Sequence, residues 1–482
     1  MGKMTGQPTR LLLLAVVPAL LLGGGWLFLH NQPATGSSRP DVPSPIAPSP
    51  PRPVPPPAWT ASQVEDLLGA VEQADAEGLR ASDYRVEALR AAAGQRHHAS
   101  IDALANTAAL ALAHDFAAGR VRNRHRFNWY IDYGGPGTAE LERGIIAART
   151  QGKLNEWLNG LLPTAPAYRA LRDALASTAP DDRDRRDRIR ANMERWRWLP
   201  RDFSSADQLY VNLPTYRLDV VQRGHTIASY RAVIGAIDMP TPALSVPVRQ
   251  VIANPDWIVP QSIVRRSHLR PGASSKYIFT TRPDGTVRVR QKPGPGNALG
   301  RVKIVFPNPL AIYFHDTPSR SLFGASERAF SHGCVRVQNI AALAASLVAR
   351  PDRFGDALAG TQTRGFAPAH GWQANIAYLT LVPDEAGRLV DVGDPYRMDE
   401  LLAGALDGRA APGKAPAPLA PAVPKSATEP LPEPPSDLGP RSDPDDVLIK
   451  SPAVDPAVAT LENGPSPAAV RTENPSVGPR LP

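Results

Sequence analysis

The sequence predicts an α+β protein in which a helical region precedes a β-rich domain, with Pro-rich segments on both sides. Apolar residues recur at helical spacing across 59–198. From residue 208 onward, short segments alternate between apolar and polar side chains, a pattern that is typical of strands. Residues 30–58 and 407–482 are rich in Pro, Ala and Ser, and such segments bury too little apolar surface to offset their chain entropy. We therefore expect a Pro-rich stalk and a disordered tail around the folded part.

The N-terminus combines positive charge with a long apolar stretch. Residues 1–10 contain Lys3 and Arg10, and residues 11–29 carry no charge. At about 1.5 Å per residue, a helix over 11–29 just spans the hydrocarbon core of a bilayer. We expect residues 1–10 to be cytoplasmic, and 11–29 to be an uncleaved transmembrane anchor. Cleavage as a signal peptide stays open, because Pro18 and a glycine triplet weaken that helix.

The helical domain is predicted to cover residues 59–200. Helices are predicted over 59–74, 101–116 and 184–198, with a further pair within 141–162. The last of these helices is amphipathic and strongly charged, and it ends before Pro200. Trp196 and Trp198, at its end, are expected to pack this helix against the next domain.

The β-rich domain is predicted to cover residues 201–406. Strands are predicted over 208–213, 217–222, 226–234, 249–252, 287–290, 302–306 and 311–314. The segments 374–382 and 388–392 are interpreted as a terminal hairpin. The predicted strand over 311–314 leads directly into His315, which places a titratable side chain at a strand end.

The formal net charge of the chain is +8, which bears on the class of partner. Nucleic-acid binding requires a basic stripe with interleaved aromatics or a known motif, and the sequence contains neither. A basic surface also favours dwelling near an acidic cell-wall polymer, and an Arg-rich solvated surface explains the charge equally well. We therefore expect no nucleic-acid partner.

Cys334 is the single cysteine of the chain, within Ser331-His332-Gly333-Cys334-Val335-Arg336. A lone thiol in an exported protein has no intramolecular disulfide partner, so reactivity is the better reason for its presence. A neighbouring imidazole activates a thiol by accepting its proton, and both His332 and His315 are candidates.

The residues around Cys334 suit nucleophilic catalysis. Gly333 permits unusual backbone angles and a close substrate approach, and backbone N–H groups at Gly333 and Cys334 are candidates to face a developing oxyanion. Arg336 offers a fixed charge for a substrate carboxylate. A metal half-site is disfavoured because no second ligand pair exists. An inert core thiol is disfavoured because the neighbouring residues are polar.

The motif around Cys334, with an upstream His315, resembles the signature of the YkuD-type L,D-transpeptidase catalytic domain. Longer segments across about 60–405 resemble the YcbB-like branch of that family. These segments are Asn192–Pro200, Val233–Gly235, Asn254–Trp257, Pro293–Arg301, Tyr313–Thr317, Tyr378–Thr380 and Asp394–Tyr396. The resemblance implies a helical scaffold followed by a β-rich catalytic domain.

The resemblance also implies a chemistry. In this family a cysteine thiolate attacks the amide after the third residue of a peptidoglycan tetrapeptide stem, usually meso-diaminopimelate, and D-Ala leaves. A side-chain amine of another stem resolves the thioester and gives a 3–3 cross-link. The family uses no cofactor and no metal ion. The implied location is the periplasm, anchored to the inner membrane, with tetrapeptide stems and other cell-wall synthesis proteins as partners.

Carried over by position, the resemblance assigns residues to roles. Cys334 is the nucleophile, and His315 is the general base and acid, oriented through the main chain of Asp316. The oxyanion and substrate pocket is implied to contain Ser331, His332, Gly333, Arg336 and Tyr313. This assignment prefers His315 over the nearer His332 as the base.

Two departures from the YcbB-like branch concern substrate placement. The small peptidoglycan-binding domain that relatives often carry is predicted to be absent, because 168–175 leads almost directly into 184–198. The lid segment, 262–285, is shorter than in those relatives. Two rival functions stay open: a hydrolase of the L,D-carboxypeptidase type, in which water resolves the same thioester, and a non-catalytic wall-binding scaffold.

Overall fold

A computed structural model describes residues 57–93, 99–203, 207–272 and 274–409. The predicted anchor (11–29), almost all of the stalk and the tail beyond residue 409 lie outside the described residues. Among the residues that are described, no helix has the length and apolar character needed to cross a membrane. Residues 407–409 of the predicted tail are described, and an ion pair of 2.8 Å joins Asp407 to Arg190.

The helical region contains seven α-helices within the described residues. They are α1 (Ala61–Glu72), α2 (Val86–Ala93), α3 (Ala99–Ala118), α4 (Thr138–Thr150), α5 (Leu154–Asn159), α6 (Pro166–Ser177) and α7 (Arg183–Arg197). Helix α1 begins where the sequence predicts a helix start. Thr60 and Gln63 form a capping box there, in which each side chain accepts the other's backbone N–H at 3.2 Å. The predicted pair within 141–162 is confirmed as α4 and α5.

Where the structure describes the β-rich region, it contains sixteen short strands. They are β1 (Gln208–Asn212), β2 (Arg217–Gln222), β3 (His225–Gly235), β4 (Leu244–Pro247), β5 (Gln250–Ala253), β6 (Trp257–Ile258), β7 (Tyr277–Thr281), β8 (Val287–Gln291), β9 (Val302–Val305), β10 (Phe314–His315), β11 (Ala329–Ser331), β12 (Val335–Val337), β13 (Arg364–Phe366), β14 (Gln373–Ala377), β15 (Leu381–Pro383) and β16 (Leu389–Asp391). Four helices accompany them: α8 (Gln261–Arg266), α9 (Ile340–Leu347), α10 (Pro351–Ala359) and α11 (Asp399–Leu406). The predicted α+β class is confirmed.

One large sheet carries most of these strands, in the order β13-β5-β9-β10-β12-β3-β2-β1-β14-β4, with β11 paired to β3. The strands β6, β8 and β7 form a separate three-stranded sheet, to which the predicted lid segment contributes β7. At the middle of the large sheet, β10 pairs antiparallel with β9 and parallel with β12. These three neighbouring strands position the candidate site.

The predicted strand over 374–382 is wrong, because the chain leaves the large sheet partway. β14 pairs with β1, and only 381–383 forms the hairpin with β16. Between them, the side chain of Asn212 accepts the Leu379 N–H at 2.9 Å, and that of Asn192 accepts the Thr380 N–H at 2.9 Å. Buried side-chain amides thus replace the strand ladder at this point.

The predicted strand over 311–314 is also too long. Ala311 has a φ of 55°, which no strand residue adopts. The Asn308 side chain accepts the Ile312 N–H at 3.1 Å and donates to the Ile312 carbonyl at 2.8 Å. This local closure keeps the chain in a loop until Phe314.

Side chains of the helical region and of the β-rich region pack together in one apolar core. The core of the β-rich domain includes Trp129 from the helical region, and Trp198 lies beside it with ring centroids 5.3 Å apart. The expectation that Trp198 packs α7 against the next domain is confirmed. A buried ion pair of 2.5 Å between Arg195 and Asp399 joins α7 to α11.

Candidate active site

Cys334 is held at the start of β12, in the centre of the large sheet. The Val335 N–H donates to the Tyr313 carbonyl at 3.2 Å, and Phe314 lies opposite Val335 in the register. Because side chains alternate along strands, the buried Phe314 and Val335 face one side of the sheet, and their neighbours His315 and Arg336 face the other. The thiol is half-buried, and its Sγ lies 3.7 Å from the Ala311 carbonyl oxygen.

The loop before Cys334 is closed by Ser331. Its hydroxyl donates to the Cys334 carbonyl at 2.5 Å and accepts the Gly333 N–H at 3.2 Å. Gly333 has a φ of 107°, a conformation that residues with a Cβ rarely adopt. Ser331 itself is buried, so the structure gives it the role of holding the loop.

The same loop bears on the expected oxyanion donors. The Gly333 N–H already donates to the Ser331 hydroxyl, so it does not face an oxyanion in this arrangement. Among the hydrogen bonds of the described residues, none uses the N–H of Cys334. Of the two predicted donors, the Cys334 N–H is the one that the structure leaves ready for an oxyanion.

His315 is buried at the end of β10, one strand away from Cys334. Its Nδ1 lies 2.5 Å from the Asp316 carbonyl oxygen. Because a carbonyl only accepts, the proton is on Nδ1, and Nε2 of the neutral ring is an acceptor. His315 therefore has the tautomer that a general base requires.

Three influences set the charge of His315. Burial first, and then the positive charges of Arg336 and Lys303, lower its pKa to about 3, although the hydrogen bond to Asp316 opposes them. The ring is therefore neutral in the free protein. Its conjugate acid is destabilised until negative charge develops nearby.

Asp316 contacts the His315 ring through its main chain. Its carboxylate accepts the Arg301 N–H at 2.9 Å and forms an ion pair with Arg320 at 3.5 Å. Gly300 makes room for it, since a Cβ at that position would lie 2.4 Å from the Asp316 Cγ. The carboxylate thus fixes the segment, and the carbonyl orients the imidazole.

The thiol of Cys334 is protonated at neutral pH. Burial raises its pKa, and Tyr313, Lys303 and Arg336 partly offset that effect. The offset from Tyr313 comes from hydrogen bonds of its backbone and its side chain to Cys334. A protonated thiol needs a base, and the neutral His315 on the neighbouring strand is suited to that role.

Tyr313 lies between the groups of the site. Its ring is 5.6 Å from that of His315, in an edge-to-face arrangement. The Lys303 Nζ lies 3.9 Å from its ring centroid. Burial and hydrogen bonding to Cys334 raise the pKa of the phenol well above its ordinary value, while a hydrogen bond with Trp257 opposes them.

His332 and Arg336 occupy different surroundings. His332 is exposed on the loop, whereas His315 is buried against the sheet. Arg336 is half-buried on β12, opposite His315 in the register, and its Nε is a buried atom without a hydrogen-bond partner. Burial lowers the pKa of Arg336, and Cys334 opposes that effect. Within the described residues, no cluster of three or more His, Cys, Asp or Glu side chains is placed to hold a metal ion.

Two residues of the site were not predicted as such. Lys303 lies on β9 directly opposite His315, and Trp257 begins β6 and contacts Tyr313. The sequence signal for Lys303 is a lone cation inside an apolar strand, at a position that alternates with the buried Val302 and Ile304. That Lys303 belongs to the site becomes apparent only from the register between β9 and β10.

Comparisons with known proteins agree with this geometry. Residues 206–361 match the model of the YkuD family, described as the L,D-transpeptidase catalytic domain. Residues 55–175 match a family described as the Scaffold domain. A protein of Haemophilus influenzae named "Putative L,D-transpeptidase" is 28% identical over 296 residues. That similarity covers 55% of this chain and 59% of the relative. The β-rich region is thus similar to a YkuD L,D-transpeptidase catalytic domain, and the helical region to a Scaffold domain.

Proposed function

We propose that this protein is a peptidoglycan L,D-transpeptidase that forms 3–3 cross-links through a thioester on Cys334. The observation that carries the proposal is the placement, at neighbouring strands of one sheet, of a half-buried, protonated thiol and a buried His315 held as the Nδ1–H tautomer. That pair lies within the region that matches the L,D-transpeptidase catalytic domain. Placement within the YcbB-like branch is part of the same proposal.

Acylation begins at the thiol. The Nε2 atom of His315 takes the Sγ proton while sulfur attacks the carbonyl carbon of the third stem residue. The developing oxyanion accepts a hydrogen bond from the Cys334 N–H. When the tetrahedral intermediate collapses, the carbon–nitrogen bond breaks, His315 returns the proton to the amine, and D-Ala leaves.

Deacylation uses the same groups in reverse. The side-chain amine of a second stem attacks the thioester carbon, and His315 accepts the proton from that amine. The carbon–sulfur bond then breaks, and His315 returns a proton to the sulfur. The products are a 3–3 cross-linked dimer and the free thiol.

The proposal includes a location and inhibitors. Peptidoglycan substrates require the catalytic region to lie outside the inner membrane, which suits the predicted anchor over 11–29 and the stalk over 30–58. Carbapenem-type β-lactams are proposed to acylate Cys334, because the thiol attacks their strained amide as it attacks a stem. Other cell-wall synthesis proteins are the proposed partners.

The experiment is product analysis with purified disaccharide-tetrapeptide. Chromatography with mass spectrometry should show D-Ala and a dimer joined between third residues, and the Cys334→Ala variant should show neither. Trimmed tripeptide monomers without dimer would favour the hydrolase reading. Unchanged substrate would contradict the proposal and favour a non-catalytic scaffold.

A further inference from the structure

Lys303 stands in one row with the proposed base. On the large sheet it lies opposite His315 on one side and opposite Ile252 on the other. Arg336 lies opposite His315 on the following strand. Residues in one row share a face of the sheet, so Lys303 and Arg336 flank His315 from both neighbouring strands.

The ammonium of Lys303 is directed toward the site. Its Nζ lies 3.9 Å from the centre of the Tyr313 ring, which itself hydrogen-bonds with Cys334. Burial lowers the pKa of Lys303, and the proximity of Cys334 opposes that effect. A lysine that is withdrawn from solvent in this way loses hydration that a binding partner has to replace.

The described residues provide no carboxylate for either cation. None of the ion pairs among them involves Lys303 or Arg336. The carboxylate of Asp316 accepts the Arg301 N–H. Asp256 pairs through Oδ2 with Arg290 at 2.7 Å, and its buried Oδ1 has no hydrogen-bond partner. The buried Nε of Arg336 also lacks a hydrogen-bond partner. Two unpaired cations beside a nucleophile form an electropositive site that fits an anion.

We propose that Lys303, together with Arg336, binds a carboxylate of the acyl-donor stem, and that Lys303 determines the preference for an anionic donor. This inference rests on the proposed function. The chemical class of the bound group is a carboxylate next to the scissile amide, as on the side chain of the third stem residue.

Carboxylate binding has a consequence for the base. The charged or titratable groups around His315 are Lys303 on β9, Arg336 on β12, Cys334 just before β12 and Tyr313 just before β10. A carboxylate bound to Lys303 offsets one of the two positive charges that disfavour the imidazolium. An acyl donor that carries this carboxylate therefore makes His315 a stronger base, whereas a neutral donor does not.

The first test uses two alkylating probes that differ in charge. The thiolate of Cys334 displaces iodide from iodoacetate, an anion, and from iodoacetamide, a neutral molecule of similar size. We expect Lys303→Met to lower the iodoacetate-to-iodoacetamide rate ratio at least fivefold. Lys303→Arg retains the ratio, and so does Lys153→Met, a control at an exposed lysine of the helical region.

Two results would overturn the inference. If Lys303→Met slows both probes by the same factor, Lys303 acts on the thiol pKa alone. If the wild-type ratio does not exceed that of a neutral model thiol, N-acetylcysteine amide, no anion is recognised. The second comparison needs no variant, so it holds even if a substitution at Lys303 disturbs folding.

A second test uses stems whose third residue carries either a free or an amidated side-chain carboxylate. Amidation should slow acylation of the wild type at least fivefold and leave Lys303→Met nearly indifferent. If amidation slows acylation of the wild type and of Lys303→Met by the same factor, the inference is contradicted. If neither stem acylates the wild type, the proposed function fails, and the alkylation ratio still decides whether Lys303 recognises anions.

Discussion

His315 and His332 differ in their burial. His315 is buried with its Nδ1 hydrogen-bonded to the Asp316 carbonyl, whereas His332 is exposed on the loop. We expect His315→Ala to slow acylation by about 10²–10⁴-fold, the usual contribution of general base catalysis. His332→Ala should have a much smaller effect, through substrate placement. Single-turnover acylation of both variants measures this, and the reverse order of severity would exclude His315 as the base.

The pH dependence follows from the two pKa shifts. His315, with a pKa of about 3, is neutral far below pH 7, and burial raises the Cys334 pKa. The free protein therefore has its thiol protonated and its base unprotonated at neutral pH. We expect kcat/KM for acylation to be flat from about pH 5 to pH 8.

A companion measurement follows the thiol alone. Alkylation by iodoacetamide requires the thiolate, so its rate should keep rising beyond pH 9. A plateau below pH 7 would show a pre-formed thiolate–imidazolium pair and would contradict the assigned charge states. An acid limb of kcat/KM near pH 6 would show the same for His315.

How far the sequence predicts single residues depends on their separation along the chain. Cys334, Gly333 and Arg336 lie in one motif, and His315 adjoins a recognisable segment, so spacing along the chain identifies them. Lys303 enters the site only through the register of β9 against β10. Strand register depends on tertiary packing, which local patterns do not encode.

At the scale of elements, Gly300 fixes the segment that carries His315. It has a φ of 61°, and a Cβ there would lie 2.4 Å from the Asp316 Cγ. Gly285 has a similar φ of 78° but open space around its Cβ position, which makes it a matched control. We expect Gly300→Ala to destabilise the protein by about 1–3 kcal/mol more than Gly285→Ala, because only the former adds a clash.

Gly300→Ala should also slow acylation, since a displaced Asp316 no longer orients the imidazole. Denaturant unfolding and single-turnover acylation of both variants provide the measurements. Equal stability losses with unchanged acylation would show that the segment tolerates a side chain at residue 300. In that case Asp316 would not depend on Gly300 for its position.

Element boundaries were less predictable than element types. Helical spacing predicts the pair α4 and α5, and alternation predicts β1, β2 and β3. The errors at 311–314 and 374–382 share a cause, because an Asn side chain bonds the backbone in place of a neighbouring strand. Such side-chain replacement leaves the apolar pattern unchanged, so periodicity does not reveal it.

At the scale of the whole molecule, α7 joins the helical and β-rich regions through buried polar groups. Arg195 forms the buried ion pair with Asp399, whose carboxylate also accepts the Thr380 hydroxyl at 2.8 Å. Removing one partner leaves an uncompensated buried charge, so Asp399→Ala should cost about 3–5 kcal/mol of unfolding free energy. Asp352→Ala, at an exposed pair with Arg350, should leave stability unchanged.

Denaturant unfolding of both variants checks the role of this junction. Equal stability of the Asp399→Ala and Asp352→Ala variants would show that α7 and α11 are held together by apolar packing alone. The predicted anchor, almost all of the stalk and the tail beyond residue 409 lie outside the described residues, so their roles stay predictions from composition.

The most direct measurement of the central claim is the intact mass of the protein after brief incubation with tetrapeptide muropeptide. We predict a mass increase equal to the donor minus D-Ala, mapped by proteolysis to Cys334 and released by an added amine acceptor. The Cys334→Ala variant should show no adduct. An adduct on the variant, an adduct at another residue, or an unmodified wild type that still produces cross-linked dimer would contradict a cysteinyl thioester mechanism.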